Sequence, residues 1–130
     1  MHGRADQTPE FIYHLVPGSE FLLQIKDGQY CPRRFEQEGF IHATAGEELT
    51  LKVAEDYFAG ASGVLLLRIR LSRVAAKVTF EAPAPIPGGG SAHLQNAPLF
   101  PHIYGALNLD AIDRIACLDI SPGLEFPQFS

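Results

Sequence analysis

The pattern of hydrophobic and polar positions predicts a strand over residues 64–71, where apolar residues recur at every second position. One face of this strand is apolar throughout, and the other turns polar toward its end. The apolar face consists of Leu65, Leu67, Ile69 and Leu71. Shorter runs of strand-forming residues predict further strands at residues 11–16, 39–43, 78–81, 101–104 and 115–120.

A short helix is predicted at about residues 20–26, because Ser19 is positioned to cap it and apolar residues recur on one face. These apolar residues are Phe21, Leu22 and Ile25. Gly28 suits the end of this helix, since glycine readily adopts the left-handed conformation that closes many helices.

A longer helix is predicted from Thr44 and Glu47, which match the capping box, in which each side chain binds a free backbone N–H of the other residue. Apolar residues four positions apart then give this helix a core-facing side. They are Leu49, Val53 and Tyr57. The helix should run to about Phe58, with Gly60 ending it.

The order of these elements favours an α+β fold with a mixed, mostly antiparallel, split β-sheet core and two or three short helices. A regular parallel sheet is disfavoured because both helices precede most of the strands. Residues 1–10 are predicted to form a flexible leader, and residues 11–130 a single globular domain. The Pro/Gly-rich stretch 82–98 is predicted to be a long loop, either a lid or a connector. The tail from residue 121 is expected to pack back on the body.

Composition and charge narrow the class of protein. With 130 residues, 46% of them hydrophobic, the chain can bury a stable core without disulfide bonds or structural metal ions. The net charge of −5 argues against a nucleic-acid partner, whose phosphates need a basic face, and leaves room for a small anionic ligand held by a few local cations. Arg33 and Arg34 form the only adjacent basic pair, which is also typical of a solvated turn. We expect no membrane partner and a cytoplasmic location, because no segment has the apolar length of a membrane span or a signal peptide. Cys31 and Cys117 are expected to be reduced, with Cys117 in the core.

Candidate chemistry centres on three histidines, His14, His42 and His102, each inside a strand-like apolar segment. Histidine donates through one ring nitrogen, accepts through the other and titrates near neutral pH, so these residues are candidate catalytic groups. We expect them to approach one cleft, although a single histidine in such a segment is often a hydrogen-bonded structural residue. Glu38, just before Gly-Phe-Ile-His, is a candidate partner that would orient a histidine.

A metal site is a competing interpretation, because imidazole triads bind zinc or iron. No pair of these histidines has the close spacing of a ligand motif, and no clear acidic fourth ligand accompanies them. We therefore expect no tightly bound metal. The sequence also lacks the Gly-x-Ser-x-Gly elbow of serine hydrolases and the P-loop of nucleotide triphosphatases.

Four segments resemble those of the domain-of-unknown-function 952 family. They are Ile-Tyr-His-Leu (12–15), Glu-Gly-Phe-Ile-His-Ala-Thr (38–44), Leu-Leu-Leu-Arg-Ile (65–69) and Leu-Phe-Pro-His-Ile-Tyr-Gly-Ala-Leu-Asn-Leu (99–109). The resemblance extends from about Phe11 to Ile120. The family has no settled activity, but its fold is thought to be related to the ADP-ribosyltransferases, which cleave the nicotinamide–ribose bond of NAD. The resemblance therefore implies an ADP-ribosyltransferase-like split sheet around a cleft.

The resemblance also implies roles at three strand positions. His14 would match the histidine that hydrogen-bonds the NAD ribose. Residues 40–44 would match the second position, which stacks on nicotinamide, with His42 near the stacking residue. His102 or Tyr104 would match the third position, which commonly carries glutamate. This segment offers no carboxylate, and histidine is a poorer partner for developing positive charge.

The leading interpretation is that the protein binds a small, nucleotide-like molecule in a cleft lined by these residues. NAD is the candidate substrate, and transfer or hydrolysis of ADP-ribose is the candidate reaction. The alternatives are a non-catalytic small-molecule binding module and, third, a metal-binding site of three histidines. The candidate catalytic residues are His14, His42 and His102, and the candidate ligand-binding residues are Phe40, Thr44, Tyr104, Arg34 and Glu38. A lid at residues 82–98 would let His93 and Gln95 reach the ligand. A monomer or homodimer is expected.

Overall fold

The computed structural model describes residues 8–82 and 99–129. Its strands are β1 (Phe11–Pro17), β2 (Ile25–Lys26), β3 (Gln29–Tyr30), β4 (Ile41–His42), β5 (Val64–Arg70), β6 (Lys77–Glu81), β7 (Phe100–Tyr104), β8 (Leu107–Asn108) and β9 (Ile112–Leu118). Its α-helices are α1 (Gly18–Leu23), α2 (Phe35–Glu38) and α3 (Glu47–Phe58), and short 3₁₀ turns cover Leu71–Arg73 and Leu109–Ala111.

The central sheet has the strand order β1-β5-β9, with both pairings antiparallel. Because β5 lies between two partners and is covered on both faces, its successive residues Leu66 and Leu67 are both fully buried. Leu67 packs with Ile12 in one hydrophobic cluster, and Leu66 packs with Tyr13 in a second cluster. The central sheet therefore separates two hydrophobic clusters.

A second antiparallel sheet, here called the site sheet, has the order β4-β7-β6. It is joined to the central sheet by two backbone hydrogen bonds between Tyr13 and Thr44, each with an N···O distance of 2.8 Å. A third sheet of order β2-β3-β8 completes the described strands. The Tyr13–Thr44 bridge brings the residue that follows Tyr13, His14, against the end of β4.

The prediction of an α+β fold with mostly antiparallel strands is confirmed, since every strand pair in the described residues is antiparallel. The strands predicted at residues 11–16, 64–71 and 101–104 agree with β1, β5 and β7 within a residue. The last strand begins three residues earlier than predicted, at Ile112, and ends at Leu118. The predicted packing of the tail is also confirmed, because the Phe126 ring meets the Tyr13 ring edge-on at 5.1 Å.

The first predicted helix is present, with Phe21 buried as expected, but its bounds and its cap differ from the prediction. The helix α1 begins at Gly18 and ends at Leu23, Ser19 does not cap it, and Leu22 is 72% exposed. Ile25 instead belongs to β2, which pairs with β3 across a tight turn. Asp27 and Gly28 both have positive φ there, 55° and 76°. An Asp-Gly pair suits a tight hairpin turn, so this local signal outweighed the helical spacing at Ile25.

The capping box predicted for the longer helix is also wrong. The helix α3 begins two residues later than predicted, after Gly46, whose φ of 95° lies in the region that favours glycine. Thr44 lies outside the helix, with its backbone in the bridge to Tyr13, so its side chain cannot serve as the cap. The predicted end at Phe58 is confirmed.

Both cysteines are free, as predicted, but Cys117 is exposed rather than part of the core. Its strand, β9, is an edge of the central sheet, and an edge strand leaves alternate side chains open to solvent. In the part of the chain described by the structure, no helix combines the length and apolar character needed to cross a membrane. Residues 83–98, including His93 and Gln95 of the predicted lid, lie outside the described residues.

Candidate functional site

Two of the predicted histidines are direct neighbours across the site sheet. His42 on β4 pairs with His102 on β7, and cross-strand partners project their side chains from the same face. The two ring centroids are 5.7 Å apart. Around them lie three further side chains, and we call the whole group the polar–aromatic cluster: Phe40, His42, Glu81, His102 and Tyr104.

Phe40 is the aromatic centre of the polar–aromatic cluster. Its ring stacks on the ring of His102, with centroids 4.1 Å apart and planes inclined by 16°. It also contacts the ring of His42 at 4.9 Å and the ring of Tyr104 at 5.5 Å. The stacking helps to bury His102, whose side chain is only 4% exposed.

A carboxylate that the sequence interpretation missed completes the cluster. Glu81 Oε1 accepts a hydrogen bond from His102 Nδ1 at 2.7 Å and one from the Tyr104 hydroxyl at 2.5 Å. These bonds, first that of Tyr104 and then that of His102, hold the pKa of the Glu81 carboxyl below its usual value. The same carboxylate raises the pKa of Tyr104. Glu81 is therefore ionised at neutral pH, and its side chain is 37% exposed.

This carboxylate comes from a neighbouring strand and not from the segment of His102 and Tyr104. The segment around His102 has none, but β6 pairs with β7 and places Glu81 beside it. The available signal was the predicted strand that ends at Glu81. A strand prediction does not identify the neighbouring strand, and β6 and β7 are joined through residues 83–98, so the sequence alone did not reveal the pairing.

The predicted partner Glu38 contacts His42. The short helix α2 ends at Gly39, whose φ of 82° is left-handed, and the chain then enters β4. His42 Nε2 donates to Glu38 Oε1 at 2.9 Å, and Arg34 Nη2 donates to Glu38 Oε2 at 2.9 Å. Burial lowers the pKa of His42, against an opposing effect of the Glu38 carboxylate.

His14 has a different environment, because both of its ring nitrogens are engaged. A carbonyl oxygen can only accept, so Nδ1 donates to the backbone oxygen of His42, at 2.5 Å. Burial lowers the pKa of His14 to about 4, so the ring is neutral at pH 7 and Nε2 accepts from the Tyr30 hydroxyl at 2.8 Å. Tyr30 is fully buried and was not among the predicted residues. The geometry gives His14 the role of fixing β4 and Tyr30.

The predicted residues thus form one chain of contacts, from His14 through His42 to His102. Thr44 is 6% exposed and contributes its backbone to the bridge with Tyr13.

A surface concavity lies outside this group of residues, at the start of α3. It is lined by Ala45, Gly46, Glu47, Glu48, Leu49 and Lys52. Within residues 8–82 and 99–129, no group of three or more His, Cys, Asp or Glu side chains is arranged to hold a metal ion.

The neutral state of buried His14 gives the first prediction. Between about pH 6.5 and about pH 4, the unfolded chain binds a proton at this ring that the folded chain does not, so the free energy of unfolding should fall as the pH is lowered. His42 contributes in the same direction, since its pKa is also lowered. Urea unfolding at about pH 7.5 and about pH 5 measures the effect.

The variant His14→Gln should have a weaker dependence of stability on pH over this interval, because glutamine does not titrate. His42→Gln is the matched control, with a smaller expected change because His42 is more exposed. If the dependence of stability on pH is unchanged in His14→Gln, His14 binds protons equally in the folded and unfolded chains.

Comparisons with known proteins bear on the fold. A sequence model of the family described as "Protein of unknown function (DUF952)" matches residues 16–115. No curated protein matches the chain. The crystal structure of protein CC0527 from Caulobacter crescentus has a TM-score of 0.67 and 24% identity, covering 84% of this chain and 86% of that chain. Its solution NMR structure has a TM-score of 0.64 and 22% identity, covering 85% and 86%. At this identity, the likeness shows a shared fold.

Proposed function

The chain belongs to the family of proteins of unknown function (DUF952), and from that premise we propose that it binds NAD at the polar–aromatic cluster and cleaves the nicotinamide–ribose bond. ADP-ribose is then released to water or transferred to an acceptor. One observation carries the proposal: the ionised carboxylate of Glu81 accepts a hydrogen bond from the exposed Tyr104, whose ring contacts that of Phe40.

The nicotinamide ring of NAD is a cation, and this cluster has two features that favour a flat cation. Aromatic faces attract positive charge through their quadrupole, and Phe40 and Tyr104 supply such faces. The carboxylate of Glu81 adds a full negative charge at the same place. Arg34, which is 75% exposed next to Glu38, is a cation that can meet the phosphates of the same ligand.

The cluster also suits the bond cleavage. When the C1′–N bond breaks, its electron pair goes to nicotinamide and positive charge develops on the ribose. A fixed carboxylate stabilises that charge, and it does so most effectively when its own orientation is set in advance. Two hydrogen bonds, from His102 and Tyr104, orient Glu81 in this way.

Comparison of NAD with NADH tests the proposal, because the reduced ring has the same shape but no positive charge. We expect calorimetry to show NAD binding about two- to thirtyfold more tightly than NADH, as a cation–π contribution predicts. ADP-ribose, which lacks the ring, should also bind more weakly than NAD. Equal or tighter binding of NADH, or no binding of NAD at millimolar concentration, would contradict the proposal.

Release of free nicotinamide separates an enzyme from a binding module. We expect release when the protein is incubated with NAD, measured by chromatography. Glu55→Gln is the matched control, since Glu55 is an exposed glutamate on α3 and outside the polar–aromatic cluster. It should bind and release like the native chain. Binding without release would identify a non-catalytic module instead.

A further inference from the structure

The described histidines differ in whether a ring nitrogen is accessible to a ligand. His14 uses both nitrogens inside the protein. His102 is 4% exposed and lies under Phe40. His42 is 44% exposed, donates through Nε2 to Glu38, and its Nδ1 has no hydrogen-bond partner among the described residues. His42 is therefore the described histidine that combines a partly exposed side chain with a ring nitrogen that has no hydrogen-bond partner among the described residues.

The orientation of the His42 ring is fixed by a hydrogen bond to Glu38, which is itself bound by Arg34. Arg34 holds one oxygen of Glu38, and the other oxygen receives the Nε2 hydrogen of His42. A histidine whose Nε2 carries the hydrogen is left with a lone pair on Nδ1. This arrangement, in which a carboxylate sets the tautomer and direction of an imidazole, is the one that prepares a general base.

His42 is also in a suitable place. Its ring contacts Phe40, which contacts Tyr104, the partner of Glu81. A ligand bound at Phe40 would therefore lie in a continuous group of side chains. This group includes both the Glu81 carboxylate and the imidazole of His42. The charged and titratable side chains near His42 are Glu38 and Arg34 from the α2 region, His102 from β7 and His14 from β1.

We propose that His42 is the general base of this site, and that Glu38, held by Arg34, is its positioning residue. This inference rests on the proposed function. The acceptor is a hydroxyl group, of water or of an alcohol. As the C1′–N bond breaks and its electron pair leaves with nicotinamide, the acceptor oxygen forms the new bond to C1′. The proton of that hydroxyl passes to Nδ1 of His42.

The test is nicotinamide release by the native chain and by His42→Asn, Glu38→Gln, Glu38→Asp and the control Glu36→Gln, an exposed glutamate on the same helix. We expect His42→Asn to lower kcat about 100-fold or more, the usual contribution of a general base. The KM for NAD should change by less than about threefold, because the base acts in the transition state. Glu38→Gln should lower kcat about tenfold, as loss of an orienting partner does, with partial rescue by Glu38→Asp.

A second readout does not depend on activity. Removing the Glu38 charge should shift the NMR titration of the His42 ring to lower pH, while Glu36→Gln leaves it in place. If the native chain releases nicotinamide and His42→Asn does so equally fast, the base assignment is wrong and the proposed function stands. If Glu38→Gln leaves the His42 titration unchanged, the positioning role is wrong. If the native chain releases no nicotinamide, the proposed function itself fails, and the base assignment fails with it.

Discussion

Replacement of Glu81 by glutamine should slow nicotinamide release about 100- to 1000-fold, while weakening NAD binding only a few-fold. The expected loss follows from removal of one preorganised group that stabilises transition-state charge. Glutamine keeps the shape of the side chain and can still accept from His102 and Tyr104. The fold should therefore be retained, and the missing negative charge is the principal change. Single-turnover rates and calorimetry measure the two effects separately.

The control for this substitution is Glu55→Gln, which makes the same chemical change on an exposed face of α3. Its release rate should equal that of the native chain. Since hydrogen bonds hold the pKa of Glu81 below its usual value, its carboxylate remains charged as the pH falls to about 5. If Glu81→Gln releases nicotinamide at the native rate, this carboxylate does not stabilise the reacting ribose, and the cluster must be reinterpreted.

The substitution Ile103→Ala should lower the free energy of unfolding by about 2–5 kcal/mol, as for other large-to-small changes in a packed core. Ile103 is fully buried in the middle of β7, and its cross-strand partners are Ile41 and Val78. It belongs to the same hydrophobic cluster as Leu67 of the central sheet. Loss of its side chain therefore leaves a cavity directly beneath the strand that carries His102 and Tyr104.

Ile115→Ala is the matched control, because Ile115 lies on β9 and is 49% exposed. The same substitution there should cost less than about 1 kcal/mol, since little packing is lost. Urea unfolding of both variants measures the difference. Similar losses in the two variants would mean that the site sheet is not packed on the main core as the structure describes.

The corrections fall where one local pattern supports two conformations. Phe21 and Leu22 lie in the helix α1, as their spacing predicts, but Asp27 and Gly28 form a tight turn, so the helix ends at Leu23 and Ile25 belongs to a hairpin strand. For the residues around Ile25, the local pattern is consistent with either a longer helix or a hairpin strand. The choice between them depends on what each side chain packs against, as with Phe21, whose ring lies 5.1 Å from that of Tyr30.

The sequence by itself determined the elements whose pattern is local and repeated. Alternating apolar residues indicated β5, and the strand-forming runs indicated β1 and β7. It also identified His42 and His102 as candidates, because polar groups inside apolar strands need partners. These inferences are possible because both features can be recognised from a few neighbouring residues. The features are the periodicity of a strand and the free-energy cost of burying a polar group.

Only the tertiary structure decided which residues meet. Glu81 and His102 are separated by 21 positions and come together through the pairing of β6 with β7. His14 and Tyr30 likewise meet across different sheets. The register of distant strands is fixed by the packing of the whole core, in which a shift of one residue would turn every side chain to the opposite face. No short segment of the sequence contains that information, so the carboxylate of the site and the restraint on His14 became evident only in the folded chain.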